Sequence, residues 1–180
     1  MKNPFLIGES VYLRAFERED APLAVAWMND QEVTGTLAWY RPVNLQTEEE
    51  FIASSLKGDD RLALAIAVKE SDRLIGSVGL EQIQWRERSA CFGIVIGDKQ
   101  EWGRGYGTDA TRLMVKYGFG TLNLNRIWLH AREDNAGGIR AYEKVGFRRE
   151  GVLRQEVYRE GRYWDAVAMA ILRADWDGRG

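Results

Sequence analysis

Apolar and polar residues alternate over residues 11–16, the period of two that predicts a strand. Asp20-Ala21-Pro22 follows, with proline where the first helical turn tolerates it, and predicts a helix running to Asn29. Thr47-Glu48-Glu49-Glu50 has the S/T-x-x-E form of a capping box and predicts a second helix reaching Lys57. Three strand-like runs come next, residues 62–68, 74–84 and 90–96, with separators short enough for antiparallel hairpins. Beyond a glycine-rich turn, residues 110–120 carry apolar positions at helical spacing. Residues 126–131 predict a strand and 136–145 a helix; 147–158 and 162–172 predict two closing strands, joined at Glu160-Gly161. The order is βααβββαβαββ: an antiparallel meander, a parallel βαβα unit and a hairpin. The expected class is α/β with a mixed antiparallel and parallel central sheet.

Composition adds limits to this picture. With 180 residues, three prolines and no internal repeat or linker, the chain is expected to form one domain over residues 1–180. A chain of this length buries roughly 70% of its unfolded surface, so the core needs no staple. The net charge of −2 leaves no basic excess to neutralise phosphates, which argues against a nucleic-acid partner. One cysteine, Cys91, excludes an internal disulfide, and one cysteine with one histidine cannot supply a usual metal set, so no metal is expected. The N-terminal segment lacks the apolar core of a signal peptide, and no run approaches the roughly 20 apolar residues of a bilayer span. A cytoplasmic protein without a membrane partner is the expectation.

The strongest chemical signal is a turn. Gly93-Ile94-Val95-Ile96-Gly97 reads as the end of a strand, and Trp102-Gly103-Arg104-Gly105-Tyr106-Gly107-Thr108 as a glycine-rich turn opening a helix. Alternating glycines let successive backbone N–H groups point into one concavity, and the helix adds its unpaired first-turn amides and dipole. Such a nest suits a pyrophosphate, with Arg104 and Lys99 placed to add charge at its rim. The P-loop spacing G-x-x-x-x-G-K-[ST] is absent, and the third glycine comes one residue early for the dinucleotide fingerprint, so neither site is expected.

At these residues the chain resembles the GNAT acetyltransferase superfamily, whose signature is [QR]-x-x-G-x-[GA] after a strand; Trp102 stands where Gln or Arg is usual. That departure resembles the branch containing the RimJ and RimL ribosomal-protein N-terminal acetyltransferases. Asn135 through Phe147 resembles the family's N-x-x-[AS]-x-x-x-Y-E-K-x-G-F, with Gly138 in place of Ala or Ser. The resemblance implies a sheet of six or seven strands with about four helices, splayed between residues 90–96 and 126–131. It implies acetyl-CoA as co-substrate and transfer of acetyl to a primary amine, a protein N-terminus or a small molecule such as a polyamine, amino acid or aminoglycoside. A non-catalytic acyl-CoA-binding module is the reading from another class, and a homodimer is left open. Ile94, Val95 and Ile96 are expected along the pantetheine, and Trp102, Gly103, Arg104, Gly105, Tyr106, Gly107 and Thr108 around the pyrophosphate, with Asn135, Tyr142 and Lys144 completing the cofactor set.

By the same resemblance, Tyr142 is the acid that protonates the leaving thiolate; a phenol with pKa about 10 carries that proton at neutral pH. The plain alternative is a core tyrosine. The base is open between two residues. His130 lies five residues before Asn135, where some relatives carry glutamate, and strand alternation puts Trp128, His130 and Arg132 opposite the apolar Ile127, Leu129 and Ala131. Glu81, on the preceding strand, competes for the role, whereas Cys91 has no activating partner in sequence and is not expected to act as a nucleophile. The acceptor is expected to meet Glu32, Thr36, Trp39, Tyr40 and Arg41 on one side and Tyr158, Tyr163 and Trp164 on the other. Aromatic faces beside a carboxylate suit a cationic amine, and the same aromatics would equally suit a packing interface.

Overall fold

A computed structural model describes residues 1–176. Among them one sheet of eight strands runs in the order β1-β2-β3-β4-β5-β6-β8-β7. The strands are β1 (Leu6–Ile7), β2 (Val11–Arg14), β3 (Leu62–Val68), β4 (Leu74–Gln84), β5 (Ser89–Ile96), β6 (Arg126–Arg132), β7 (Arg148–Arg159) and β8 (Arg162–Leu172). The helices are α1 (Ala21–Met28), α2 (Gln31–Thr34), α3 (Leu45–Ser54), α4 (Tyr106–Gly120) and α5 (Ala136–Val145). The expected α/β class and element order hold, and β5 pairs with β6 in parallel while the other pairings are antiparallel. Two elements escaped the pattern, β1 of two residues and α2 of one turn. Neither is long enough to complete a hydrophobic period.

The start of α3 also differs from expectation. Asn44 is its N-cap, and the Asn44 carboxamide oxygen accepts from the Thr47 amide at 2.9 Å and from the Thr47 hydroxyl at 3.0 Å. Thr47 is therefore the third helical residue, not the cap, and the helix ends at Ser54 rather than Lys57. Asparagine is as strong a cap as threonine, and starting earlier brings Leu45 into the helix.

The two faces of the sheet are filled differently. Leu64, Ile66, Val78, Leu80 and Phe92 turn toward Met114 and Val115 of α4 and form the buried core. Each fully buried side chain of this kind contributes about 1.5–3 kcal/mol. On the opposite face the register aligns Ala63 with Gly79 and Gly79 with Gly93. That row has almost no side-chain volume, and a gap remains between it and the layer of α1 and α3 above.

Two polar anchors hold the N-terminal segment. Asp109, buried in the first turn of α4, accepts from the amides of Glu9, Ser10 and Val11 at 3.3, 2.8 and 3.0 Å and from the Ser10 hydroxyl at 3.0 Å. Arg14 reaches Asp20 through two hydrogen bonds of 2.7 and 2.8 Å, both side chains buried. Burial would lift the Asp20 carboxyl, but the Arg14 guanidinium and the Glu17 amide at 2.8 Å hold it below its ordinary value. A depressed folded-state pKa gives stability that is present above the unfolded carboxyl value of about 4 and is lost as pH falls through the folded value. Asp20→Ala leaves Arg14 buried without its partner, so a loss of about 3–5 kcal/mol is expected at pH 7. Thermal melts at pH 7 and pH 3 check this: the gap between wild type and variant narrows in acid, and parallel profiles would remove Asp20 from this role.

Candidate active site

The parallel contact between β5 and β6 stops almost as soon as it begins. Ser89, Ala90 and Cys91 align with Arg126, Ile127 and Trp128, and beyond them the strands part. β5 stays paired to β4 as far as Ile96, and β6 to β8 as far as Arg132. Each strand therefore keeps one saturated edge and opens the other. Phe92, Tyr142 and Phe147 stand at the split, with ring centroids 5.9–6.0 Å apart.

The glycine turn lies at the wide end of this opening. Gly103 and Gly105 have φ of +76° and +85°, conformations that residues with a Cβ rarely adopt. Gly105 is the N-cap of α4, and the Asp109 amide is the one that returns to the Gly105 carbonyl. The amides of the preceding turn are left to face the opening. A Cβ built on Gly103 or Gly105 meets nothing within 4 Å, so the backbone there is bare toward an incoming group. This is the fit that a pyrophosphate of acetyl-CoA requires. Trp102, in place of the family's usual Gln or Arg, donates its indole N–H to the Ile96 carbonyl at 2.7 Å and pins the turn to the end of β5.

A cavity of about 570 Å³ runs from this turn along β5 to α5. Of the expected cofactor residues, Ile94, Val95, Ile96, Trp102, Gly103, Gly105, Tyr106, Gly107, Thr108, Asn135, Tyr142 and Lys144 line it. Arg104 does not: its guanidinium lies 3.2 Å from Glu101 and leaves the lining to the turn's backbone. Lys99 is likewise engaged, 2.8 Å from Asp30 and 2.7 Å from Glu32, which raises its pKa. Sequence reasoning missed Arg140, which lines the cavity one helical turn before Lys144; neither has an ion-pair partner among the described residues. The spacing of α5 from Asn135 was its only signal. Asn135 also caps α5, accepting from the Gly138 amide at 3.0 Å, and its place in the lining is compatible with the expected cofactor contact.

Tyr142 lines this cavity, and burial pushes its phenol up to about 12. Its hydroxyl has no hydrogen-bond partner among the described residues, unlike a tyrosine anchored to a core carbonyl. A second cavity of about 290 Å³ lies on the small-residue face of the sheet, under α1 and α3, and Glu81 lines it with Trp39. Leu37, Ile94 and Val95 border both cavities. Next to Glu81 in register is Cys91, whose thiol is pushed up to about 11 by burial and by the Glu81 charge.

The other expected residues lie elsewhere. His130 borders neither cavity; it pairs with Ala168 on β8, stacks 5.1 Å from Trp128 and has Nδ1 4.0 Å from Glu156. The alternation was read correctly, but α1 and α3 cover β3–β5 rather than β6, so its face is open. Glu32 borders the larger cavity instead of the second one and is tied to Lys99. Tyr40 is exposed and borders neither; Tyr163 packs against Tyr158 at 4.9 Å on the exposed hairpin tip. Trp164 is sandwiched by Arg132 and Arg162, whose guanidinium carbons lie 4.6 and 3.5 Å from its ring centre. Arg159 was also missed. It donates from β7 to the carbonyls of Thr34, at 3.1 Å, Leu37, at 2.8 Å, and Trp39, and so clamps the wall between the cavities.

A sheet splayed between β5 and β6 beside an amide-lined turn is the arrangement expected of a transferase that uses an acyl-CoA donor. Residues 10–148 match the acetyltransferase (GNAT) domain. The spermidine N(1)-acetyltransferase of Vibrio cholerae serotype O1 is 30% identical over 174 residues, covering 96% of this chain and 99% of that protein. YdaF of Bacillus subtilis, a putative ribosomal N-acetyltransferase, is 27% identical over 177 residues and covers 96% of each chain. The solved structure of a Vibrio cholerae spermidine N-acetyltransferase in complex with CoA and spermine matches with a TM-score of 0.85 at 28% identity, over 92% of this chain and 97% of that one. The chain belongs to the GNAT acetyltransferase family and is an acetyl-CoA-dependent N-acetyltransferase.

Replacing Gly105 with valine strains a left-handed backbone position and puts a branched side chain where phosphate must approach. Calorimetry is expected to give CoA binding weakened by about 10-fold or more, equivalent to at least about 1.4 kcal/mol. Unchanged affinity in a folded variant would locate the phosphate cradle elsewhere.

Proposed function

We propose that this enzyme acetylates the primary amine of a small cationic molecule, by direct attack of the amine on acetyl-CoA. The observation that carries the reading is the shared border at Leu37, Ile94 and Val95, with Tyr142 on the cofactor side and Glu81 on the acceptor side. Acetyl-CoA brings an acetyl group already activated as a thioester. Glu81 takes the proton of the ammonium, directly or through water, and frees the nitrogen lone pair for attack. An N–H on the open edge of β5 faces the carbonyl oxygen as it gains charge, a role worth about 10²–10³ in rate where such donors have been removed. Tyr142, kept protonated by burial, returns a proton to sulfur as the C–S bond breaks. Arg140 and Lys144 meet the phosphates that the turn's amides do not. The raised Cys91 thiol supports direct transfer over an acetyl-cysteine step, since the thiol is not the nucleophile its thiolate would be.

For the acceptor, the spermidine-acetylating relatives and an aromatic cavity without any lysine, arginine or histidine support a small cation. The RimJ/RimL resemblance and the ribosomal relative support a protein N-terminus as the second reading. Thiol release from acetyl-CoA, measured over alkylamines, diamines, amino acids, aminoglycosides and N-terminal peptides, separates them: turnover confined to peptides would overturn the first.

Tyr142→Phe is expected to lower kcat by roughly 10²–10⁴ while acetyl-CoA affinity stays within about twofold, because the proton is needed only as the thiolate leaves. Glu81→Gln is expected to lower kcat in the same range, and His130→Ala to retain most of it. Steady-state kinetics with each variant decide this. A large loss in His130→Ala with none in Glu81→Gln would move the base to β6.

A further inference from the structure

Glu48 is buried, 7% exposed, on the inward side of α3, and it lines the acceptor cavity together with Glu81. Its carboxylate has no hydrogen bond or ion pair among the described residues. Around it stand Phe16, Trp27, Trp39, Phe51 and Met28, and the lining includes no cationic side chain. An inward helix position beside Phe51 ordinarily holds an aliphatic residue, because a carboxylate there loses its hydration and gains nothing in return. The consequence is visible in the group itself: burial alone raises the Glu48 carboxyl, with no neighbouring charge contributing. The transfer chemistry needs one carboxylate at the attacking nitrogen, and Glu81 supplies it. Glu48 is surplus to that chemistry.

We propose that Glu48 is the counter-charge for a second cationic group on the acceptor, so that the enzyme selects diamines over monoamines. The reading rests on the proposed amine acetylation and names its substrate class. One ammonium meets Glu81 on the sheet, beside the shared border with the cofactor cavity. The second meets Glu48 on the helical wall, and an aliphatic spacer lies between them against the aromatic side chains. A dication balances both carboxylates, which no cation among the described residues does. The volume of about 290 Å³ suits a short aliphatic chain. The indole and phenyl faces of Trp27, Trp39 and Phe51 add cation–π attraction to either end.

The test compares linear α,ω-diaminoalkanes with n-alkylamines of equal carbon number. Wild type is expected to favour the diamine in kcat/KM by about tenfold or more, and Glu48→Gln to collapse that ratio toward one. Glu48→Leu, apolar and suited to an inward helix position, gives the same readout should the glutamine variant not fold; CoA affinity reports folding in both. Calorimetric titration of the diamine into CoA-saturated protein reads the subsite without turnover, and the same tenfold weakening is expected in either variant. Diamine binding that depends on Glu48 without any amine turnover would sustain the subsite and overturn the proposed function. Amine turnover with a diamine preference that survives in Glu48→Gln, or with no preference in wild type, would overturn the subsite and leave the function standing.

Discussion

The molecule depends on the early end of pairing between β5 and β6. Backbone N–H and C=O groups in a sheet interior are normally paired on both sides, and an unpaired buried group costs free energy. Here β5 keeps β4 and β6 keeps β8, so parting costs each strand one ladder rather than two. The aromatic trio of Phe92, Tyr142 and Phe147 occupies the fork. The same wedge that stands in the split also delivers a phenol to its apex. Strand edges left open in this way are suited to the amides of an extended ligand, as in other cases of edge recognition.

The second structural decision is the asymmetry of the sheet. One face carries the bulk that packs α4, and the other presents Ala63, Gly79 and Gly93 in a row under α1 and α3. Close packing makes an interior gap expensive, since lining atoms lose their dispersion partners. A gap that persists therefore has to be lined by groups that have another use, and this one holds two carboxylates and a set of aromatic rings. Stability is concentrated elsewhere, in the α4 face, the Asp109 anchor and the Arg14–Asp20 pair. The wall between the two cavities is not left to apolar contact: Arg159, more than a hundred residues away in sequence, ties three of its carbonyls.

These features explain why, of the two residues left open for the base, Glu81 borders a cavity and His130 does not. Alternation says which side of a strand a residue faces, and for His130 it did so correctly. It does not say whether a layer covers that side. The helices α1 and α3 lie over β3–β5, so Glu81, although exposed, borders the cavity beneath them, whereas the exposed His130 sits on β6 beside Glu156. The same limit applies to Tyr40, Tyr163 and Trp164, whose residue types suited an amine pocket and whose positions are a loop surface and a hairpin tip.

What the sequence by itself determined is the class of element at most positions and the cofactor turn. Period-two and period-3.6 patterns are local, and a glycine turn between a strand and a helix carries its chemistry in its own backbone. Hence nearly every residue expected at the cofactor, from Ile94 to Lys144, lines one cavity, and Arg104 does not because a neighbouring carboxylate, Glu101, claims it. Tertiary structure alone decided the second cavity. Its walls come from α1, α3, the 37–43 segment and three strands, none of which carries a recognisable spacing. Glu48 shows the difference most sharply: in sequence it is one of three consecutive glutamates near a helix start, and such a run reads as a solvated face. One helical phase, set by Asn44 as the cap, turns the first of the three inward and leaves Glu49 half-buried and Glu50 exposed. Burial is a property of the assembled layers, and no local pattern encodes it for a polar residue.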